Sequence, residues 1–141
     1  MADLLDGIAL YLAERGHGTY GPDTVGATIC LEQMPSTPDE VIVLTVYDGG
    51  AAESDSLLGY DEPRMQVRVR GTTDPRVSRQ RALAIYSELH GLGPVTLPDG
   101  TQLILAVALQ PVSSLGADDN RRHEHVFNVR MEHRSITAHR G

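Results

Sequence analysis

The sequence is poor in several residue types, and each scarcity limits what the protein can do. Among 141 residues there is one cysteine, Cys30, so no intramolecular disulfide can form and the fold is compatible with a reducing compartment. Five tyrosines, one phenylalanine and no tryptophan argue against a surface on which single-stranded bases stack. A net charge of −7 argues against tight binding to duplex DNA.

Long apolar runs are also missing, and no stretch is long enough to span a membrane. The N-terminal segment carries Asp3 and Asp6 and no basic residue ahead of its apolar positions, so it does not resemble a signal peptide. Cys30 lies in an apolar alternation, where we expect a small buried hydrophobic residue rather than a nucleophile. With 40% hydrophobic residues, the chain is predicted to be a single domain over residues 1–141.

Lysine is absent, and the twelve arginines are unevenly distributed. Residues 1–63 hold twelve acidic residues and one arginine, a net charge of −11, whereas residues 64–141 hold eleven arginines and seven acidic residues, a net charge of +4. Two interpretations remain open. The halves interleave in one domain and neutralise each other, or the acidic surface of one copy binds the basic surface of the next, as in head-to-tail rings.

Hydrophobic periodicity predicts an α+β fold, with one mainly antiparallel sheet and flanking helices. The first helix covers residues 3–15, and the second begins at Pro75 after a capping residue and ends before Gly91. Strands are predicted at 27–31, 41–47, 64–70, 101–109 and 126–134, with a further strand and a hairpin turn over 95–100. The strand at 41–47 is expected to be covered on both faces. Residues 48–62 are predicted to form a mobile loop, 111–122 a polar loop and 137–141 a frayed tail.

The strand at 64–70 alternates between apolar residues on one face and Arg64, Arg68 and Arg70 on the other, with Gln66 between them. The second helix then carries arginines in its N-terminal half, where the helix dipole disfavours positive charge, at positions 76, 79 and 81. Local helix energetics does not explain this placement. We expect carboxylates of a neighbouring subunit to be better partners for these arginines than phosphates are.

Candidate catalytic patterns are weak. His123 and His125 would share one face of a strand and could bind a metal with His133 or Asp119, but no third ligand is fixed by the pattern. A metal-dependent nuclease would recruit carboxylates from Gly-containing segments, namely Asp48, Glu53, Asp55, Asp118 and Asp119. The sequence contains no phosphate-binding glycine loop, nucleophile elbow or Cys–His spacing. We therefore predict no catalytic residues, no metal and no cofactor.

Several short motifs resemble the minor capsid or tail terminator proteins of long-tailed phages. They are Gly49-Gly50 after a buried strand, Tyr60-Asp-Glu-Pro-Arg-Met-Gln-Val-Arg-Val-Arg-Gly71, Ala82-x-x-Ile-Tyr-x-x-Leu89, and Pro111-x-x-x-Leu115-Gly-x-Asp-x-x-Arg121. The resemblance covers residues 1–135 in element order, and none of the motifs is catalytic. It implies that Pro63 enters the central strand, that Arg68 and Arg70 face outward, and that Asp118 and Arg121 order the loop before the last strand.

The same resemblance implies a structural virion protein at the head-proximal end of the tail, assembled in the host cytoplasm. Copies would form a hexameric ring that caps the tail tube, ends its polymerisation and binds head–tail connector proteins, while DNA passes through the lumen without specific binding. With the charge pattern, it predicts a subunit interface at Arg64, Arg68, Arg70, Arg76, Arg79, Arg81, Asp118 and Arg121. It also predicts a tube-contacting loop with Glu53, Asp55, Leu57, Leu58 and Tyr60. The alternatives are a head-completion or neck protein that binds the portal and, from another class, the metal-dependent nuclease.

Overall fold

One mixed sheet and two helices make up the fold in a computed structural model that describes residues 4–21, 27–48 and 60–134. The helices are α1 (Leu4–Glu14) and α2 (Pro75–Leu89). The strands are β1 (Ile29–Leu31), β2 (Val41–Asp48), β3 (Tyr60–Asp61), β4 (Arg64–Arg70), β5 (Val95–Thr96), β6 (Gln102–Ala108), β7 (Ser113–Ala117) and β8 (His123–Arg134). Neither described helix has the length and apolar character needed to cross a membrane.

Strand β8 is the centre of the sheet. The strand order is β1-β2-β4-β8-β6-β5, and the short strands β3 and β7 also pair with β8. Along one side β8 pairs with β4 and β3, and along the other with β7 and β6, all antiparallel. Strands β1 and β2 are parallel, so the sheet is mixed rather than purely antiparallel.

The hydrophobic core lies between one face of this sheet and both helices. Register places Val67 of β4 opposite Phe127 of β8 and Val69 opposite Ile42 of β2, and these side chains point toward the helices. The predicted alternation of β4 is confirmed, because its three apolar residues, Met65, Val67 and Val69, are fully buried. We call the opposite face, which carries no helix among the described residues, the open face.

Local signals place α2 correctly. Asp74 is the N-cap, its side chain accepts a hydrogen bond from the Arg76 backbone N–H, and Pro75 occupies the first helical turn. Gly71, between β4 and α2, has no room for a side chain, because an added Cβ would lie 2.8 Å from the backbone nitrogen of Ser78. This close approach holds the start of α2 against β4.

Several predicted boundaries are wrong. The segment 111–122 is not entirely loop, since it contains β7, and the last strand begins at residue 123 rather than 126. In the predicted loop 48–62, residue 48 belongs to β2 and residues 60–61 form β3. Residues 49–59 and the predicted frayed tail lie outside the described residues. Strand β2 is covered on both faces only over its first four residues, and Tyr47 is 50% exposed.

We expect Phe127→Ala to lower the free energy of unfolding by about 3–5 kcal/mol, because the ring is fully buried on β8 and packs edge-on against Tyr86. Urea denaturation measures the change. Leu83→Ala, on the exposed side of α2, is the control and should change stability by less than about 0.5 kcal/mol. Equal losses in the two variants would show that β8 is not the centre of the core.

Candidate subunit interface

The open face is the part of the sheet on which the predicted interface arginines of β4 lie. Arg64 is directly opposite Arg130 of β8, and Gln66 is opposite Asn128. Like charges directly opposite each other repel, and here acidic residues offset them, since Glu62 pairs with Arg130 at 3.5 Å and Asp48 of β2 is opposite Arg64 on its other side. On β6 the same face presents Leu105, which is 37% exposed. The open face therefore combines arginines and their acidic neighbours with exposed apolar surface.

One end of the open face is closed by a buried arginine cluster. The guanidinium of Arg70 donates to the backbone oxygens of Pro38 and Asp39 at 2.7 and 2.9 Å. Arg122 donates to the Ser36 oxygen at 2.7 Å and to the Asp118 carboxylate at 2.9 Å. Burial lowers the pKa of Arg70, and the nearby charge of Arg122 lowers it further. The two arginines fasten residues 36–39 onto the sheet.

This cluster corrects the expectation that Arg70 faces outward. Its side chain projects from the predicted face, but only 3% of the residue is exposed, because the segment before β2 covers it. Asp118 orders the turn before β8 as the resemblance implies: its carboxylate accepts from the backbone N–H groups of Asn120 and Arg122. These hydrogen bonds hold the pKa of Asp118 below its ordinary value. Sequence reasoning did not identify Arg122, although an arginine next to a turn-forming aspartate is a recognisable signal.

Most other predicted interface arginines already have partners in the same chain. Arg68 pairs with Glu124 on β8, Arg76 with its own N-cap Asp74 at 3.1 Å, and Arg81 with Glu40 at 3.1 Å. Ion pairs that join the acidic half to the basic half are Arg15–Glu88, Arg81–Glu40, Arg122–Asp39 and Arg130–Glu62. At these residues, opposite charges of the segments 1–63 and 64–141 neutralise each other within one domain.

Two predicted interface residues remain exposed without such a partner. Arg79 on α2 and Arg121 in the turn before β8 form no ion pair with another residue in the described ranges 4–21, 27–48 and 60–134. The tube-contacting residues Glu53, Asp55, Leu57 and Leu58 lie outside those ranges, and the backbone of Tyr60 pairs with Arg134 in β3. The predicted interface is thus spread over several surfaces rather than gathered in one patch.

The histidine pair of β8 is part of the packing between strand and helix. His125 is 6% exposed, and its Nδ1 lies 2.8 Å from the Ser78 hydroxyl of α2. Burial lowers the pKa of His125, and the neighbouring His123 and Arg79 lower it further. Within the part of the chain that the structure describes, no three His, Cys, Asp or Glu side chains converge as metal ligands. The fold does not bring His123 and His125 together with Asp119 or His133 as the nuclease alternative requires.

Comparison with known proteins adds a family to this geometry. The family model described as bacteriophage tail terminator protein matches residues 11–133, from within α1 to the penultimate residue of β8. The match includes all of α2 and all strands except the last residue of β8. A search of curated proteins found no match.

We expect Arg70→Ala to lower the free energy of unfolding by about 2–5 kcal/mol, because the backbone oxygens of Pro38 and Asp39 lose a charged donor that is itself buried. Arg70→Lys should lose an intermediate amount, since an ammonium group lacks the planar fork of donors. Urea denaturation measures both changes, and Arg79→Ala is the exposed control. A stability of Arg70→Ala equal to that of Arg79→Ala would show that the cluster does not hold residues 36–39 in place.

Stability should also fall as the pH drops below about 6.5. The lowered pKa of His125 means that the folded state binds fewer protons there than the unfolded state, whose histidine has the ordinary pKa near 6.5. We expect the free energy of unfolding, measured by urea at pH 7.5 and at pH 5.5, to decrease between these values. His125→Gln should reduce that decrease even if it is less stable overall, and an unchanged pH dependence would contradict this role.

Proposed function

Since the chain belongs to the bacteriophage tail terminator protein family and so has a structural role in a phage tail, we propose that its copies form a ring that closes the tail tube. The ring, with six copies as the leading expectation, ends tube polymerisation at the head-proximal end of the tail. It then binds the head–tail connector proteins and leaves a lumen through which DNA passes without specific binding. Assembly takes place in the host cytoplasm.

The observation that carries this proposal is the asymmetry of the sheet. Both helices cover one face, and the other face presents Arg64 and Arg130 side by side with exposed apolar residues. A subunit with two unlike surfaces favours head-to-tail contacts, which close into a ring when the rotation between neighbours allows it. Charged groups at such a contact fix the orientation of neighbouring copies, and the exposed apolar residues supply area to bury.

Charge also supports a contact between unlike surfaces. Ion pairs within the chain consume one charge of each sign, so the net charge of −7 remains as surplus carboxylate on the subunit. Arg79 and Arg121, exposed and without an ion pair to another described residue, are the arginines best suited to meet those carboxylates on a neighbouring copy. The segment that contains Glu53, Asp55, Leu57, Leu58 and Tyr60 remains our candidate for the contact with the tail tube protein.

The test is assembly with and without the tube. We expect mass photometry and negative-stain imaging to show ring-shaped oligomers of the protein, and rings at one end of tubes grown from tail tube subunits, whose lengths become shorter. A protein that stays monomeric and does not bind tube ends would overturn the proposal.

A charge reversal tests the arginine contact separately. Arg121→Glu should reduce the fraction of protein in rings at least severalfold while the melting temperature of the subunit stays within about 2 °C, because exposed charges contribute little to folding. Gln102→Glu, which adds a negative charge at an exposed position of β6, is the control and should assemble normally. Equal assembly by both variants would show that Arg121 is not part of the interface.

A further inference from the structure

Strand β7 is an unusually exposed edge of the sheet. Within the described residues it pairs with β8 alone, and all five of its residues are exposed. Its sequence, Ser-Ser-Leu-Gly-Ala, contains no charge and no proline, two of the features that commonly prevent a sheet edge from pairing with another chain. A register shift between Ser114 and Gly116 leaves Leu115 without a directly opposite residue on β8. Leu115 in its middle is 53% exposed, more than any other large hydrophobic side chain described.

The neighbouring edge on the same side of β8 is protected. The chain after α2 runs along β6, where Gly91 N–H donates to the Ala106 oxygen at 2.7 Å and Ala106 N–H donates to the Leu92 oxygen at 2.8 Å. His90 Nδ1 then accepts from the Ala108 N–H at 3.0 Å. The fold thus satisfies the outer backbone groups of β6. Along β7 no described strand lies on the outer side, and the Gly116 N–H donates to the Ser114 hydroxyl at 3.0 Å.

The opposite end of the sheet offers a second edge. Strand β1 is last in the strand order, and among the described residues Thr19 lies along its beginning, where the Ile29 N–H donates to the Thr19 oxygen at 3.0 Å. A cleft runs beside this edge, and its walls include Tyr20, Leu31 and Pro35. Residues that precede β1 in the chain and residues that follow it both line this cleft, as expected of a groove that receives a further strand.

Strand directions make these two edges complementary. β7 is antiparallel to β8, β8 to β4 and β4 to β2, whereas β1 is parallel to β2. β1 and β7 therefore run in opposite directions, and they lie on opposite sides of β8, β7 beside its first half and β6 beside its second. When a second copy is placed in the same orientation beside the first, the β7 edge of one copy meets the β1 edge of the next as an antiparallel pair.

From this geometry we propose that β7 of each copy adds to β1 of its neighbour, so that the sheets of successive copies join edge to edge. Main-chain hydrogen bonds form the contact, and Leu115 enters the cleft beside β1. The contact is heterologous and repeats from copy to copy, as a ring requires. This inference rests on the proposed function and names the strands that join its subunits.

The single native cysteine allows a direct test. Cys30 is the middle residue of β1 and Leu115 the middle residue of β7, so Leu115→Cys places a thiol opposite Cys30 of the neighbouring copy. Within one copy the two positions are four strand spacings apart, roughly 19 Å, too far for a disulfide. Mild oxidation of Leu115→Cys should give a ladder of dimers, trimers and larger species on a non-reducing gel.

Two control variants complete the experiment. Leu115→Cys combined with Cys30→Ser should give no ladder, and neither should Leu83→Cys, a comparably exposed leucine on α2. Dimers from the Leu115→Cys, Cys30→Ser variant would reveal a symmetric pairing of β7 with β7 and overturn the inference. Rings of the unaltered protein without a ladder from Leu115→Cys would overturn the inference and leave the proposed function standing. A monomeric protein without a ladder would overturn both.

A charge at the edge gives an independent measurement. Leu115→Asp should raise the protein concentration needed for half-maximal assembly at least tenfold, because Asp6 lines the cleft beside β1 and repels a second carboxylate. The exposed position keeps the melting temperature of the subunit nearly unchanged. Leu83→Asp is the matched control and should assemble as the unaltered protein does. Normal assembly of Leu115→Asp would overturn the edge contact.

Discussion

The pairing of β8 along both of its sides is the constraint on which the rest of the structure depends. Its twelve residues hold β4 and β3 on one side and β7 and β6 on the other. Because side chains alternate along a strand, a shift of one residue in this pairing would move Phe127 out of the core and Glu124 into it. The position of every neighbouring strand, and the identity of the two sheet faces, follow from this one register.

The buried arginine cluster is a consequence of that register. Pairing of β8 with β4 sets Glu124 directly opposite Arg70, and Arg122 precedes β8 by one residue. A buried guanidinium is costly unless its donors are satisfied, and here the backbone oxygens of residues 36–39 satisfy them. The same hydrogen bonds bring this segment over one end of the open face. The remainder of that face stays uncovered by any described element, and surface there is available for partners.

The elements that were predictable from the sequence are those with local signals. The alternation of residues 64–70, the Asp74-Pro75 helix start and the Pro-Asp-Gly hairpin all depend on neighbours within a few residues. Strand β7 has no such signal, because its five small or apolar residues become a strand only by pairing with β8. The burial of Arg70 was not predictable either, since alternation assigns a face but does not say that a distant segment covers it. The net charges of residues 1–63 and 64–141 likewise did not predict which carboxylate forms an ion pair with each arginine.

The charge that remains after internal pairing bears on how copies come together. A chain with a net charge of −7 repels its own copies at long range, and ion pairs inside the subunit do not reduce that charge. Uncharged strand edges are the surfaces at which copies approach with the least additional repulsion, and β7 and β1 contain no charged residue. Backbone hydrogen bonds between them need no opposite charge. Arginines such as Arg121 then act at the periphery of the contact, where opposite charges orient neighbouring copies more than they hold them together.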